Sequence, residues 1–505
     1  MVENSVPAHT STNSTFRIAL VAAFFIGFGV YGYFCVKHGT WSAKEKHGCD
    51  FTAFYSAGEL ARQGGNIYTD WKLSSTPRRP FNYPPFFALI PMAPLSLLSH
   101  DAAHAVFYAL SILLLFAACC VLARWLWPAA AQFWRSADFG LLLTLAICWR
   151  FIASNAMEGN ANLLIAALLV FGLHAALKTR ATAAPARGIW SGIWIALATV
   201  YKITPGLFGV YFFWSRKGWA MLGGALGLIL FLFILPSAWL GWETNMRYVR
   251  AFGDYTVRKA LGKGTDPAGG DEIVIGRPKD LDPEQSDNAI GLGVSLRGPI
   301  TSLLTPAIVL KKHKDDPRTV NIASVDPSRV KLIVNVCSLV LLLVTVALTF
   351  SARAHGGVME ETLCWSLVTV TMVLISPLTR IAHLTVLILP VAALVAMLLQ
   401  RALSGFARYL AWAALILVGA GPAMAHAVLS EHTRESLNAM GFTTVGLLVL
   451  YAALAWALWT RRGQSSVNSA HDPLNQGTAR HNNGHSYGQV ERQLPGVNVA
   501  CNASE

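Results

Sequence analysis

The acidic residue Asp50 lies in the stretch GCDFTAFY, directly before an aromatic and apolar run. An unpaired charge in or beside lipid costs several kcal/mol, so a carboxylate at this place needs a partner or a function. A carboxylate half shielded by apolar neighbours can act as a general base that deprotonates a hydroxyl nucleophile. A helix N-cap is the structural alternative, because such an Asp accepts hydrogen bonds from the first amide groups.

Three basic side chains lie beside other apolar runs. Lys202, in VYKITPG, either extends to the membrane interface or neutralises a phosphate held there. Arg380 and His383 lie in SPLTRIAH, just before a long apolar run. Arginine can bind a phosphate through two parallel hydrogen bonds, and histidine can share a proton with a carboxylate near neutral pH. A pair of interfacial anchors is the alternative for Arg380 and His383.

Two further segments combine polar or aromatic residues with turn signals. The turn EGN at 158–160 joins two apolar runs and is typical of a tight connection; its Glu158 is the best candidate for a second carboxylate. The stretch 64–94 contains a YPP triplet. Its prolines predict an extended or re-entrant interfacial segment instead of a regular helix, with Tyr83, Phe86 and Phe87 as anchors.

Motifs for nucleotides and metals are missing from the sequence. It contains no GxxxxGK[ST] loop and no DxD pair placed for a metal-bound sugar nucleotide; Asp315-Asp316 lies in KKHKDDPR, a pattern typical of a solvated loop. The eight cysteines form no CxxC pair and lie mostly in apolar runs. We therefore predict no metal site and no cofactor. The net charge of +13 is concentrated in short loops and the tail, which indicates membrane topology and not a nucleic-acid partner.

Hydrophobic residues make up 54% of the chain and charged residues 13%, which is typical of a protein embedded in a bilayer. We predict an all-α polytopic membrane protein with about twelve transmembrane helices. The apolar runs lie near 17–37, 102–126, 139–154, 161–177, 188–202, 204–214, 218–240, 330–351, 362–376, 384–400, 408–427 and 441–460.

The two short runs beside Lys202 are either a hairpin or one long tilted helix over 188–214. The hairpin makes every short inside loop basic when the N-terminus is cytoplasmic, so the distribution of charge favours it. All of the unusual residues above then face the outside, which predicts an active site on that side. The predicted divisions are a cytoplasmic N-terminal segment 1–16, a membrane domain 17–462 with outside loops 38–101 and 241–329, and a disordered cytoplasmic tail 463–505.

The run DFTAFYSAGELARQGGNIYTD followed by FNYPPFFALIPMAPL resembles the first outside loop of the membrane glycosyltransferases of family 87, which use polyprenyl-phosphate sugars. The segments EGNANLLIAALL, GIWIALATVYKITPGLF, DNAIGLGVSLRGPI and ISPLTRIAHLTVLILP follow in the family's order, and the resemblance covers roughly residues 15–460. It implies a GT-C-type fold whose outside loops form a catalytic cavity, and a polyprenyl-phosphate sugar, often mannose, as donor.

The resemblance also implies roles for individual residues. Asp50 matches the acid that acts as base on the acceptor hydroxyl, His383 matches a histidine before a late span, and Lys202 matches a basic position suited to the donor phosphate. The large loop departs from the family, since its Asn-Gln-Ser-Leu pattern is only loosely present in NAIGLGVSLRG. Further predicted site residues are Arg380 and Arg297 for the donor phosphate, and Tyr55, Tyr83, Glu158, Asn160 and Asn288 for substrate.

Together these features predict an enzyme that moves a sugar, mannose, from a polyprenyl-phosphate donor to a lipid- or glycan-linked acceptor hydroxyl on the outer membrane face. The predicted mechanism is an inverting single displacement with Asp50 as general base. A transporter or flippase for a lipid-linked or small polar substrate is the main alternative, although carriers usually show two related halves that are not visible here. A lipid-binding scaffold without catalysis is a third interpretation.

Overall fold

A computed structural model describes residues 11–44, 49–75, 81–127, 136–182, 184–254, 293–305, 320–350, 357–377, 379–421 and 428–470. The chain divides into two compact units, Met1–Trp459 and Thr460–Glu505. Every predicted site residue belongs to the first unit. In the second unit, the described residues are the end of the last helix.

Helices form all of the regular structure in the described residues. We number them α1 Ser11–Lys44, α2 Asp50–Gln63, α3 Pro85–Leu95, α4 His100–Leu126, α5 Ala137–Glu158, α6 Asn162–Ala181, α7 Gly188–Tyr201, α8 Leu207–Trp214, α9 Gly218–Leu240, α10 Trp242–Phe252, α11 Arg297–Leu304, α12 Pro327–Phe350, α13 Val358–Ile375, α14 Ile381–Leu399, α15 Gly405–Ala420, α16 Glu431–Ala439 and α17 Phe442–Ala470.

Nine of these described helices are long and apolar enough to cross a bilayer, which confirms the prediction of an all-α polytopic membrane protein. Helices α13 and α14 lie at the centre, where 83% of each apolar segment is buried against other helices. Helix α12 is at the periphery and exposes Leu332, Leu339 and Leu343. Three of the twelve predicted runs form shorter helices, namely α7, α8 and α15.

The chain reverses direction at Lys202, as the hairpin interpretation requires. Lys202 Nζ reaches Asn162 at the start of α6, whereas Lys217, after α8, contacts Glu361, which also pairs with Arg180 near the end of α6. Helices α7 and α8 therefore run in opposite directions along α6. Helix α7 packs closely against α9. A Cβ on Gly223 of α9 would lie 2.0 Å from the carbonyl oxygen of Ile189 in α7, so only glycine allows this approach.

A helix begins at Pro85, within the YPP triplet, so the prediction of an extended or re-entrant segment is wrong from Pro85 onward, whereas Tyr83 and Pro84 precede the helix. Pro85 occupies the first turn of α3, where the missing N–H has no helical partner to lose, and Pro91 lies in a widened turn of the π type. Phe86 and Phe87 are buried against the protein instead of anchoring the chain in the interface. The ring of Phe87 packs on Tyr201 at a centroid distance of 5.0 Å.

A buried ion cluster holds the helix ends opposite Lys202. Glu361, in the first turn of α13, accepts hydrogen bonds from Trp365 Nε1 at 2.8 Å and Tyr211 Oη at 3.2 Å, and it pairs with Lys217. Arg180 Nη1 lies 3.6 Å from its second oxygen. The cluster joins α6, α8 and α13, the same helices whose other ends surround the candidate site described next.

The boundaries at the two termini extend the predicted spans. Helix α1 begins at Ser11, and α17 continues to Ala470, which includes residues that the sequence assigned to a tail. Pro473 is the first proline after this span, so the sequence contains no earlier strong helix breaker. Residues 471–505 lie outside the described part of the chain.

Candidate active site

A tight turn between α5 and α6 brings Asn160 next to Asp50. Gly159 ends α5 with a left-handed backbone, φ 60°, a conformation that glycine adopts without steric cost. A Cβ at this position would also lie 2.5 Å from Phe51 Cβ. Only glycine therefore allows the turn to approach the first residues of α2 so closely.

Asp50 is the first residue of α2 and is not its N-cap. The N-cap position is occupied by Cys49, which has an extended backbone and makes no capping hydrogen bond through its side chain. The Asp50 carboxylate instead accepts a hydrogen bond from Asn160 Nδ2. The N-cap alternative is therefore wrong, and the carboxylate is engaged with the turn at the start of α6.

Two asparagines connect this carboxylate to the ammonium of Lys202. Lys202 Nζ donates to Asn162 Oδ1 at 3.2 Å, and Asn162 Nδ2 donates to Asn160 Oδ1 at 2.6 Å. An ammonium has only donors and a carboxylate only acceptors, so the two ends determine how both amides are oriented. Both asparagines are 2% exposed, and the chain of hydrogen bonds uses donor and acceptor atoms of each amide.

Lys202 lies in the turn between α7 and α8, outside the nine long spans. Its backbone is extended and ends α7, and Pro205 begins the next turn together with Thr204. Although part of the side chain is accessible, burial lowers the pKa of the Lys202 ammonium to about 7; the charge of Asp50 opposes this shift and that of Arg380 adds to it. Such a site favours a bound anion, which would compensate the desolvated ammonium.

His383 is fixed by the turn that precedes α14. The backbone N–H of Arg380 donates to His383 Nδ1 at 3.1 Å, and the backbone N–H of His383 donates to the Arg380 carbonyl at 3.0 Å. Because Nδ1 accepts a hydrogen bond, the proton of the neutral imidazole is on Nε2. His383 is therefore arranged to donate through Nε2, and Arg380 itself is exposed.

A small cleft of about 20 Å³ lies between α6, the Lys202 turn, the end of α13 and the start of α14. One part of its wall is polar and another is apolar, a combination suited to a ligand with a charged head and a hydrocarbon chain. Its lining consists of Asn162, Ile165, Lys202, Thr204, Met372, Val373, Ser376, Thr379, His383 and Val386. These described lining residues include no carboxylate.

The described residues just before α11 dock beside this cleft. The backbone N–H of Val294 donates to the Thr379 carbonyl at 2.8 Å, and that of Leu296 donates to the Leu374 carbonyl at 2.9 Å. Arg297 begins α11 directly after this contact, and burial lowers the pKa of its guanidinium. Arg297 does not contribute to the cleft lining, although its helix is joined to the turn that does.

Four predicted substrate residues lie outside the cleft lining: Asn160, which bonds to the lining residue Asn162, and Tyr55, Tyr83 and Glu158. The Tyr55 hydroxyl donates to the Leu98 carbonyl at 2.9 Å and its ring packs beside His100, so it connects α2 to the turn before α4. The Tyr83 ring packs on Phe54, with centroids 4.9 Å apart. Glu158 lies at the end of α5, where its charge raises the pKa of Cys49 in addition to the larger effect of burial. Asn288 lies outside the described residues.

Several lining residues were not predicted from the sequence. Asn162 follows Asn160 by two positions in EGNAN, so the repeated asparagine was a readable signal that two amides occur in one turn. Thr204, Ser376 and Thr379 flank Lys202 and Arg380 in sequence. Hydroxyl residues are common at helix ends, and only the packing of α6 against α13 identifies these as part of one site.

Comparison with known proteins gives one family match. The model for glycosyltransferase family 87 matches residues 81–267, less than half of the chain. The matched part contains α3 to α10, including Asn160, Asn162 and Lys202. The chain matches no curated protein and no solved structure. The family match and the apolar helices together support a membrane glycosyltransferase.

Proposed function

We propose that the protein transfers a hexose, mannose, from a polyprenyl-phosphate donor to a hydroxyl of a lipid- or glycan-linked acceptor. The observation that carries this proposal is the hydrogen-bonded connection of Asp50 to Lys202 through two asparagines at the edge of the cleft. A carboxylate and an ammonium held apart in one site provide a base for the acceptor and a cation for the leaving phosphate. The mixed polar and apolar wall suits a phosphate that carries a hydrocarbon chain.

In the proposed reaction, Asp50 takes the proton of the acceptor hydroxyl as its oxygen attacks the anomeric carbon. The bond from that carbon to the phosphate oxygen breaks, and its electron pair remains on the polyprenyl phosphate. Lys202 stabilises the developing charge, His383 donates a hydrogen bond through Nε2, and Arg380 adds a positive charge nearby. Arg297 is assigned to the same end of the donor site.

The displacement is expected to invert the anomeric configuration. A retaining mechanism needs a second carboxylate that attacks the sugar to form a covalent intermediate. Asp50 lies outside the described cleft lining and is connected to it through Asn160 and Asn162. This carboxylate is assigned to the acceptor proton, which leaves Glu158 as the candidate for a second one. NMR of the product formed from a donor of defined anomeric configuration tests this expectation directly, because retention would require another nucleophile.

We further propose that the cleft faces the extracytoplasmic side and that both termini are cytoplasmic. The opposite ends of the helices carry Arg180, Lys217 and Arg401, and short basic loops are typical of the cytoplasmic side. Cysteine labelling with a membrane-impermeant reagent, comparing Thr204→Cys with Arg216→Cys in intact cells, tests this orientation. Labelling at position 216 alone would contradict it.

The decisive experiment measures transfer of labelled mannose from a short-chain polyprenyl-phosphate mannose to native lipid extract. Purified wild type, Asp50→Asn and Glu59→Gln are compared in nanodiscs. Asparagine keeps the size of Asp50 and can still accept the bond from Asn160, while Glu59 is an acid on the same helix that binds Ser75 instead. We expect Asp50→Asn to lose about 10²- to 10⁴-fold in rate and Glu59→Gln to remain active.

Other outcomes separate the alternatives. Equal transfer by wild type and Asp50→Asn would move the base elsewhere, with Glu158→Gln as the next variant. Absence of transfer by wild type, with a panel of lipid-linked sugars, would contradict the proposed enzyme. Movement of an intact lipid-linked sugar between leaflets of the same vesicles would then support the flippase alternative.

A further inference from the structure

We propose that Asn162 is a positioning residue that, together with Asn160, prevents Lys202 and Asp50 from forming a direct ion pair. This inference rests on the proposed function, because it assigns the two charges to different reactants. The two asparagines lie between the charged groups: Asn162 bonds to Lys202, and Asn160 bonds to Asp50.

Opposite charges in a partly buried site attract strongly, since the effective dielectric constant is lower than in water. An ammonium and a carboxylate in direct contact would occupy the same atoms that the donor phosphate and the acceptor hydroxyl need. Between these two described residues, however, the connection is indirect: Lys202 bonds to Asn162, Asn162 to Asn160, and Asn160 to Asp50. Each charged group is satisfied by a neutral amide that a reactant can displace or share.

The local structure explains why the two amides stay between the charges. Asn160 follows the left-handed Gly159, and Asn162 is the first residue of α6, so the turn and the helix fix their backbones. The backbone N–H of Asn160 donates to the Asn155 carbonyl at 2.9 Å. Both side chains are almost fully buried, so loss of either amide leaves an unsatisfied neighbour or draws Lys202 towards Asp50.

The charged and titratable groups around Lys202 come from three elements. Asp50 lies at the start of α2, and Arg380 and His383 lie in the turn and helix start after α13. Direct pairing with Asp50 would stabilise the charged form of Lys202 and raise its pKa, because an adjacent carboxylate favours the ammonium. A raised pKa of Lys202 therefore reports that the asparagine pair no longer separates it from Asp50. A general loss of stability would not raise this pKa.

The experiment determines the labelling midpoint of Lys202 against pH by competitive amine acetylation and peptide mass spectrometry, without substrate. Wild type is compared with Asn162→Leu, which removes both hydrogen bonds. Asn162→Asp places a carboxylate against Lys202 and serves as the reference for the midpoint of a directly paired ammonium. Asn245→Leu is the matched control, because Asn245 is another buried asparagine whose amide bonds to the Leu232 carbonyl at 2.9 Å. Thermal unfolding in detergent verifies that each variant is folded.

We expect Asn162→Leu to raise the midpoint by one pH unit or more, towards that of Asn162→Asp, and to reduce transfer at least tenfold. We expect Asn245→Leu to leave the midpoint unchanged. An unchanged midpoint in a folded Asn162 variant would overturn the inference. If the midpoint rose but wild type transferred no lipid-linked sugar, the asparagines would still be shown to separate Lys202 from Asp50. The proposed function would be contradicted. The two failures are thus distinguishable.

Discussion

Asn160 donates its side-chain hydrogen bond to Asp50, a residue 110 positions earlier in the chain. The contact exists because the turn after α5 approaches α2 closely enough to touch Phe51. The carboxylate and the amide that bonds to it therefore come from two different elements, helix α2 and the turn after α5. Their alignment depends on a single glycine between them, Gly159.

We predict that Gly159→Ala disrupts the site and lowers stability. Alanine in the left-handed region costs about 1–2 kcal/mol, and its Cβ would lie 2.5 Å from Phe51 Cβ, which adds about 1–3 kcal/mol of strain. Transfer should fall more than tenfold because Asn160 can no longer reach Asp50. Thermal unfolding and the transfer assay measure both effects.

Gly64→Ala is the matched control for this change. Gly64 also has a left-handed backbone, φ 77°, but a Cβ there would meet no atom within 4 Å. We expect Gly64→Ala to lose only the stability that alanine costs in the left-handed region and to keep a transfer rate close to wild type. If the two alanine variants lost activity equally, close approach to Phe51 would not be the reason that position 159 requires glycine.

Helix type and membrane class could be predicted from the sequence, because long apolar runs and sided basic loops depend on local composition. The prediction for the YPP segment was wrong from Pro85 onward, since proline is compatible with a first helical turn and with a widened turn. Tyr55 and Tyr83 were chosen as substrate residues from their position in the motif. The rings of both tyrosines pack on other aromatic side chains and the Tyr55 hydroxyl donates to the Leu98 carbonyl, contacts that only the three-dimensional arrangement reveals.

Asn162 illustrates the opposite limit. Its sequence position was within a recognised motif, but its role depends on contact with Lys202, 40 residues later. That contact forms because α7 ends where α6 begins. Local spacing does not encode this relationship, which depends on the packing of α7 against α6.

We predict that donor binding weakens as pH rises through about 7. Burial holds the pKa of Lys202 near this value, so the fraction of charged ammonium falls about tenfold per pH unit above it. The value of kcat/KM for the donor should decline with the same slope, while kcat declines less because bound phosphate raises the pKa of the lysine. Steady-state kinetics from about one pH unit below the expected midpoint to about two units above it measures this decline.

Lys202→Arg provides the comparison. A guanidinium remains protonated throughout this range, so the alkaline decline in kcat/KM should disappear even if the overall rate is lower. Lys202→Met should bind donor weakly at every pH. If kcat/KM of Lys202→Arg still declined with the same pH midpoint, the titrating group would be a residue other than Lys202.

We predict that His383 acts as a hydrogen-bond donor and not as the base. Since Nδ1 accepts the Arg380 N–H at 3.1 Å, the neutral ring keeps its proton on Nε2. His383→Gln retains a donor at a similar distance from the backbone, whereas His383→Phe retains only the ring shape. We expect the phenylalanine variant to lose about 10²-fold in kcat and the glutamine variant less than tenfold. Equal, severe loss in both would indicate proton transfer by the imidazole.

We predict that Glu361→Gln lowers stability without a selective effect on either reactant. The carboxylate is 7% exposed and pairs with Lys217 and Arg180, which are 26% and 38% exposed, so solvent reduces the cost of leaving them unpaired. We expect a loss of about 2 kcal/mol in the free energy of unfolding. Glu360→Gln, a change of the neighbouring acid in the same turn of α13, is the control and should shift the unfolding transition much less.

Because Glu361 joins α6, α8 and α13 at their ends opposite the cleft, kcat should fall in parallel with the folded fraction while the KM values for donor and acceptor remain unchanged. A change in donor KM alone would instead show that this cluster sets the geometry of the Lys202 site.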